Sequence, residues 1–503
     1  MRPIALGQII LVDRGLPKIN SMKVRDIVRT AVLRTNPYWP FSMLNKMPYE
    51  LAITAFGRLC ERFPEIRSVY LRHGLTEGSW IPALSDIDLA LIIDGKLSVE
   101  EQFSFLRLFW EKHDRLKNLF PMLGEIEILN DEHIGLWTQF DVTGYKSISW
   151  KLLYGNNTLK GGFPVGQEKL ANDSLNYALR FYLGYFHDKF EEKAESTYLT
   201  SQDLKRLASK ILKTLNYPTI DDSNAQTFVQ TLDDKTDMLV RVLIALEEGA
   251  RKIPPLIEVA DSQKNDRAWF GDIDSHNKVV FDSQALDLKA LGGWDKAIQS
   301  IILNYDKRMF IVLDDELEPS AMKSCIRAMG RIVTQEGTRP VIMSSYLFSY
   351  MLRYYDPFEY SRFIGYRIVA FGKDLLSDLK PPTKDSFISC LMRRTPTVLS
   401  FPQCHTLISP SSPNWFSRRE FDVILNQSLF LKLYLEKGVI KAWHNELLTE
   451  CQNHYPEHFI EFRELRESPD ATAGQEWFRL LKGMANDVHT RLRSRTERNA
   501  RLS

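Results

Sequence analysis

Two aspartates one residue apart, Asp86 and Asp88, sit at the head of the apolar run Ile87-Asp-Leu-Ala-Leu-Ile-Ile93. Side chains alternate across a β-strand, so the two carboxylates project from one face. Side by side they repel unless a cation lies between them. Oxygen-only carboxylate ligands favour Mg²⁺ or Mn²⁺. Upstream, Val69-Tyr-Leu-Arg-His-Gly74 reads as a short strand that leaves through a glycine. A glycine at such an exit lets backbone approach phosphate groups that a side chain would keep away.

These residues need a scaffold, and the flanking pattern predicts one. Apolar spacing predicts helices over 22–34 and 48–62, the second packing behind the sheet. Ser98-Val-Glu-Glu101 has the capping-box pattern and opens a helix to about Leu116. Gly124-Glu-Ile-Glu-Ile-Leu129 alternates as a third strand, which puts Glu125 and Glu127 on one face and Ile126 and Ile128 on the other. Ser85 reads as a turn or strand cap.

Gly74, the loop Thr76 to Leu84 and Ser85-Asp-Ile-Asp-Leu89 resemble the signature of the DNA polymerase β-like nucleotidyltransferases, in particular the branch of minimal nucleotidyltransferases and antibiotic adenylyltransferases. The family follows its glycine with serine. Here Leu75 stands in that place, and Thr76 or Gly78-Ser79 would supply the hydroxyl for the triphosphate. The resemblance implies a metal pair on Asp86 and Asp88. It also implies a third carboxylate from the neighbouring strand as ligand or general base, with Glu127 the first choice and Glu125 the second. His73 and Arg72 are candidates to touch the triphosphate, and Trp80 either stacks on a base or closes the loop. Lys151-Leu-Leu-Tyr-Gly-Asn-Asn157 resembles the segment that follows the catalytic sheet in the adenylyltransferases.

Helical patterns over 175–193, 201–215 and 225–250 predict a small helical bundle of the kind this branch places over its nucleotide cleft. Arg180 and His187 have the Arg-x6-His spacing of some RNA-cleaving toxins, but the residues between them are nearly all apolar, which speaks for core packing. The second half echoes the first: a strand over 308–315, a helix over 318–335, and strands over 339–347 and 366–376. In that echo Asp86 maps to Asp306 and Asp88 to Arg308, and a guanidinium cannot ligate a metal. Further helices are predicted over 421–436, 440–451 and 477–492.

The expected fold class is therefore α+β: a small mixed sheet of nucleotidyltransferase type with helices behind it, then a helical bundle, and a pseudo-duplicate in the C-terminal half. The expected division is an N-terminal helical extension (1–47), a catalytic domain (48–160), a helical domain (161–260), a degenerate copy (261–380) and a C-terminal helical domain (381–503). The expected reaction transfers a nucleoside monophosphate from ATP or another NTP to a hydroxyl of a small molecule or protein, with Mg²⁺ or Mn²⁺. Two alternatives are a nucleotide-binding regulatory module and the transferase of a toxin–antitoxin or defence system.

Composition narrows the partners. The net charge of +1 gives no broad basic surface for nucleic acid. Arg491, Arg493, Arg495, Arg498 and Arg501 crowd the end of the sequence and read as a solvated helix end. The five cysteines show no metal or disulfide spacing. No run approaches a twenty-residue apolar span. The expectation is a cytoplasmic protein with no membrane contact.

Overall fold

The computed structural model describes residues 21–76, 80–159, 166–187, 190, 197–215, 234–255, 277–282, 294, 296–304, 308–336, 340–408, 418–467 and 473–502. It is a mixed α/β protein built on two small sheets. Helices α1 (Ser21–Thr35) and α2 (Phe41–Cys60) precede β1 (Ile66–Leu71) and β2 (Ile87–Ile93). Then come α3 (Val99–Leu119), β3 (Leu123–Asn130), α4 (Ile134–Phe140) and β4 (Lys151–Gly155). The α2 helix runs straight across the domain boundary expected at 47/48. The start of α3 is fixed by the capping box that the sequence shows: the Ser98 side chain accepts from the Glu101 N–H, and the Glu101 carboxylate accepts from the Ser98 N–H at 2.8 Å.

The first sheet has the order β3-β2-β1-β4, with β1 antiparallel to both neighbours and β2 parallel to β3. Both of its faces are covered. Val69, Leu89, Leu91, Ile126 and Ile128 face the core that contains Phe56 of α2 and Phe109 of α3. Tyr70, Ala90, Ile92 and Leu129 face a smaller cluster with Trp137 and Trp150. By strand alternation Arg72, Asp88 and Glu127 belong to this second face.

Helices α5 (Gln167–Phe181), α6 (Thr197–Leu215) and α7 (Lys235–Lys252) follow, α5 starting eight residues before the expected position and running into a π-helical turn at Tyr182–Phe186. The helix expected over 225–250 begins at Lys235, and residues 225–233 lie outside those described.

The second sheet has the order β5-β9-β6-β7-β8, from β5 (Val279–Phe281), β6 (Ile298–Asn304), β7 (Met309–Leu313), β8 (Pro340–Ser344) and β9 (Arg367–Gly372), with α8 (Pro319–Glu336) between β7 and β8. Strands β8, β7, β6 and β9 reproduce the order and directions of β3, β2, β1 and β4. The strand expected over 339–347 stops at Ser344, whose side chain accepts from the Leu347 N–H and caps a helix at Ser345–Tyr350. Strand β6 was not anticipated from the sequence.

The correspondence reaches single residues. Register breaks fall between Ile66 and Ser68 and between Ile298 and Ser300. Gly155 and Gly372 end β4 and β9 at φ of 80° and 75°. A Cβ on either would lie 2.1 Å from a carbonyl oxygen, that of Arg67 or of Gln299. Both positions require glycine for conformation and for space.

C-terminal helices at Arg418–Lys437, His444–His454, Pro456–Glu467 and Ala473–Leu502 wrap back onto the first half. The Trp110 indole donates to the Gln403 carbonyl at 3.0 Å, and His489 lies 3.0 Å from the Glu132 carbonyl. The arginine-rich end is not simply solvated: Arg491 pairs with Glu436, and Arg495 donates to the Tyr434 hydroxyl at 3.1 Å. The side chains of Arg498 and Arg501 lie outside those described. None of the five cysteines is joined in a disulfide, and four of them are buried.

Candidate functional site

The site lies where β1 leaves the sheet and β2 enters it. The Arg72 N–H donates to the Asp88 carbonyl at 2.9 Å, which holds the exit of β1 beside the entry of β2. Asp86 stands one residue before β2 and is exposed, while Asp88 is half-buried. The two carboxylates close around Gly124. A Cβ there would meet the Asp86 Cβ at 2.7 Å and the Asp88 Oδ1 at 3.0 Å. Gly124 therefore makes room for the acidic pair, a role its place in the sequence did not reveal.

Burial raises the Asp88 carboxyl above the ordinary aspartate range; Arg72 and Lys210 oppose the rise, and Glu125 and Asp86 add to it. Burial likewise raises Asp86, against Arg206, Lys117 and Arg29. Two acids held up by desolvation, one of them also by the other, form a place where a divalent cation gains most.

Glu127 sits on β3 opposite Ala90, half-buried, with its Oε2 3.5 Å from Arg72 Nη1. Burial raises its pKa, and Arg72 and a hydrogen bond from Ser400 hold it back. The buried Arg72 guanidinium also lies 4.8 Å from the Trp150 ring centre and 5.8 Å from that of Trp137. This cation–π cradle makes Arg72 a fixed part of the wall. It is the partner of Glu127, and no phosphate is needed to account for it. Glu125, the second choice, is exposed on the same face.

Among the described residues, no group of three or more His, Cys, Asp or Glu side chains is arranged to hold a metal ion. The donor set nevertheless fits Mg²⁺ in part. Such an ion is held by one or two carboxylates with the rest of its shell from water and phosphate oxygens. Asp86 and Asp88 meet that requirement; Glu127, tied to Arg72, does not join them in this conformation.

The phosphate loop differs from expectation. The left-handed backbone is at His73, with φ of 54°, and Gly74 is not among the glycines of positive φ. His73 opens a 3₁₀ turn, His73–Leu75, and the Thr76 hydroxyl donates back to the His73 carbonyl at 2.8 Å. Thr76 thus closes the turn with its proton, and its oxygen remains an acceptor. The Ser85 hydroxyl accepts from the Ile81 N–H at 2.8 Å, the turn role expected of it. Trp80 packs against Tyr49 with ring centres 4.8 Å apart, so it closes the loop. Gly78 and Ser79 lie outside the described residues.

Around His73 the chain gathers cations. Burial first, then Arg72, Lys210, Lys146 and Arg180, push its imidazole well below the usual histidine range. The Lys210 ammonium lies 4.0 Å from the Phe181 ring centre, and that of Lys146 lies 5.0 Å from the Tyr177 ring centre. Burial works against the Arg180 charge, but Asp141, Glu125 and nearby tyrosines outweigh it and raise its pKa. A cationic half-shell from β1, α5, α6 and the 3₁₀ turn Gly144–Ser149 therefore surrounds His73, and two of its members, Arg72 and Lys210, also act on Asp88.

Sequence reasoning missed most of this shell. One signal was available: Lys210 follows Arg206 by one helical turn, a like-charge spacing that Asp203 relieves in part by pairing with Arg206 at 3.2 Å. Arg180 belongs to this shell, whereas its sequence partner His187 is buried edge-on to Tyr182 at 6.4 Å. The spacing that resembles a ribonuclease motif is thus split between cleft and core.

The segment Lys151–Asn157 serves the scaffold. The Tyr70 hydroxyl lies 3.2 Å from the Asn157 Oδ1, and Gly155 seats β4 on β1. No family model, no curated protein and no solved structure matches this chain.

Proposed function

We propose that this chain is a metal-dependent nucleotidyltransferase of the DNA polymerase β-like kind. It would move AMP from ATP, or another nucleoside monophosphate, to a hydroxyl of a small molecule or protein and release pyrophosphate. One observation carries the reading: Asp86 and Asp88 stand together around Gly124 at the mouth of one sheet, and Lys210 acts on Asp88 from the neighbouring helix. A divalent cation would answer the two carboxylates, and a triphosphate is the anion that such a cation would bring with it. The direction of the strands agrees with it, since the β1 exit, the β2 entry and Glu127 on the parallel neighbour β3 share one face.

In this reading Asp86 and Asp88 hold Mg²⁺ or Mn²⁺, which when bound neutralises the triphosphate and activates the acceptor hydroxyl. Lys210, Lys146 and Arg180 take up phosphate charge and orient the α-phosphorus for attack. Glu127, with its carboxyl raised by burial, is suited to receive the acceptor proton, and Arg72 and Ser400 fix its position. Both aspartates must be ionised to hold the metal, and burial opposes that ionisation, so metal affinity and with it activity weaken as pH falls.

The test is transfer of label from each NTP, with Mg²⁺, to lysate components by the wild type and by the Asp86→Asn and Asp88→Asn variants. Transfer that survives in both variants overturns the proposal. The Arg72–Glu127 pair favours a second reading, a module that binds nucleotide without transferring it. Metal-dependent ATP binding with no labelled product from any acceptor would select that one.

A further inference from the structure

Residues 27–51 hold nine of the seventeen large hydrophobic side chains that are exposed among the described residues. They belong to the helical hairpin of α1 and α2. Trp39 at its turn is 82% exposed, Ile27 68% and Met43 60%, with Phe41, Leu44 and Leu51 beside them. The opposite side of the hairpin is committed. Leu33 packs with Leu84 and Leu199, and Tyr49, Ala52 and Phe56 enter the main core. The hairpin is therefore a docked element with its inner face satisfied and a second apolar face left outward. Such a concentration of exposed apolar side chains on one element marks an interaction surface.

The charge of the segment says what the surface faces. Residues 21–51 carry Lys23, Arg25, Arg29, Arg34 and Lys46 against Asp26 and Glu50 alone, a net +3 in a chain whose total is +1. No acidic residue occurs between Asp26 and Glu50. Two copies of this hairpin brought together would set one net-positive segment against another, which disfavours a second copy of the chain as its occupant. Tyr38, Trp39 and Phe41 at the turn, with basic residues on the flanking helices, match the composition that settles at the boundary of headgroups and acyl chains.

We infer that the α1–α2 hairpin is a peripheral docking surface for an anionic lipid bilayer. No helix of the described residues is long and apolar enough to cross a membrane, so the contact is one of surface insertion. This departs from the expectation of no membrane contact, and it stands independently of the nucleotide reading. The hairpin also grips the loop that leads to Asp86. Arg29 Nε donates to the Ala83 carbonyl at 2.9 Å, and the Tyr49 hydroxyl donates to the Ser85 carbonyl at 2.9 Å while accepting from the Ala83 N–H at 3.0 Å. A bilayer that bears on the hairpin therefore lies next to the entrance of the acidic site.

The experiment is flotation of the full chain with phosphatidylcholine vesicles, with and without phosphatidylglycerol. The expected result is recruitment to the anionic vesicles alone, reversed by high salt. The triple variant Trp39→Ser, Phe41→Ser, Leu44→Ser should bind about tenfold more weakly or worse. Lys46→Glu should bind about fivefold more weakly or worse while keeping the apolar face. Unchanged thermal melting of both variants keeps the fold out of the comparison. Failure to float with either vesicle overturns the inference, as does a triple variant that floats like the wild type. A wild-type dimer in solution that the triple variant splits would assign the face to a second copy and overturn it equally.

Discussion

The two sheets of this protein are the same frame put to different use. Leu71 opposite Leu89 in the first becomes Leu303 opposite Met309 in the second. In both, the next backbone bond closes the pair: the Arg72 N–H donates to the Asp88 carbonyl, and the Asn304 N–H to the Arg308 carbonyl. The turns after β2 and β7 agree as well. Asp94 accepts from the Lys96 N–H at 3.0 Å and pairs with Arg67, while Asp314 accepts from the Glu316 N–H at 2.9 Å and from Gln299 at 2.9 Å.

The difference lies at the mouth. Residues 72–86 separate β1 from β2, but only residues 305–308 separate β6 from β7. Where the first sheet has Asp88 and Glu127, the second has Arg308 and Val341, by the pairing of Ala90 with Glu127 and of Phe310 with Val341. Asp306, the counterpart expected for Asp86, lies outside the described residues. A mixed sheet of this order therefore stands with an arginine in place of Asp88 and a valine in place of Glu127, and those two acids of the first sheet call for an explanation other than stability.

The comparison can be broken from the top. Asp86→Asn and Asp88→Asn should each reduce nucleotide transfer by about a thousandfold or more. Both folded carboxyls are raised, so their ionisation opposes folding increasingly as pH rises from the unfolded value through the folded one. The same variants should therefore melt no lower than wild type at neutral pH and slightly higher. A drop in melting temperature would mean that the acids serve the fold. Arg308→Asp, the reverse change in the second sheet, should create no transfer activity because the long loop is missing there.

Arg72→Met comes next. It removes the counter-ion of Glu127, and loss of one partner of a buried pair costs about 3–5 kcal/mol. Urea unfolding would measure it, and a loss below about 1 kcal/mol would show that the pair is not a structural tie. Gly155→Ala and Gly372→Ala should each cost on the order of 2–4 kcal/mol, from a left-handed φ and a carbonyl contact at 2.1 Å. Near-equal losses sharpen the equivalence of the two frames, and a tolerated substitution at one of them breaks it. The smallest effect is at the turns: Asp94→Ala and Asp314→Ala should each cost about 0.5–1 kcal/mol. The Asp314 carboxyl is held below its usual range by the Glu316 N–H and by Gln299. Its contribution is therefore present above the unfolded aspartate pKa and lost as pH falls through the folded value.

Much of the frame was legible because its signals are local. Alternation in Gly124–Leu129 and the capping box at Ser98–Glu101 each gave an element close to its observed limits. The acidic pair was legible for the same reason, since alternation alone places Asp86 and Asp88 on one face. What the sequence hid was long-range. Ser400 reaches Glu127 from 273 positions away, and Lys146, Arg180 and Lys210 converge on His73 from three separate segments. No short window contains such a constellation. Strand β6 was overlooked because Ile298–Asn304 is a short apolar run with polar residues at Gln299, Ser300 and Asn304, which periodicity alone does not separate from a buried helix segment.

The clasp between the C-terminal helices and the first sheet has a consequence for synthesis. Gln403 donates to Asn130 Oδ1 at 2.7 Å and accepts the Trp110 indole at its carbonyl, and the last helix brings His489 to the carbonyl of Glu132. A ribosome that has finished β3 still has some 270 residues to add before those partners emerge. At about 5–20 residues per second the first sheet waits on the order of tens of seconds, incompletely lined. The side of the sheet that carries Glu127, which Ser400 reaches, is therefore lined late in synthesis.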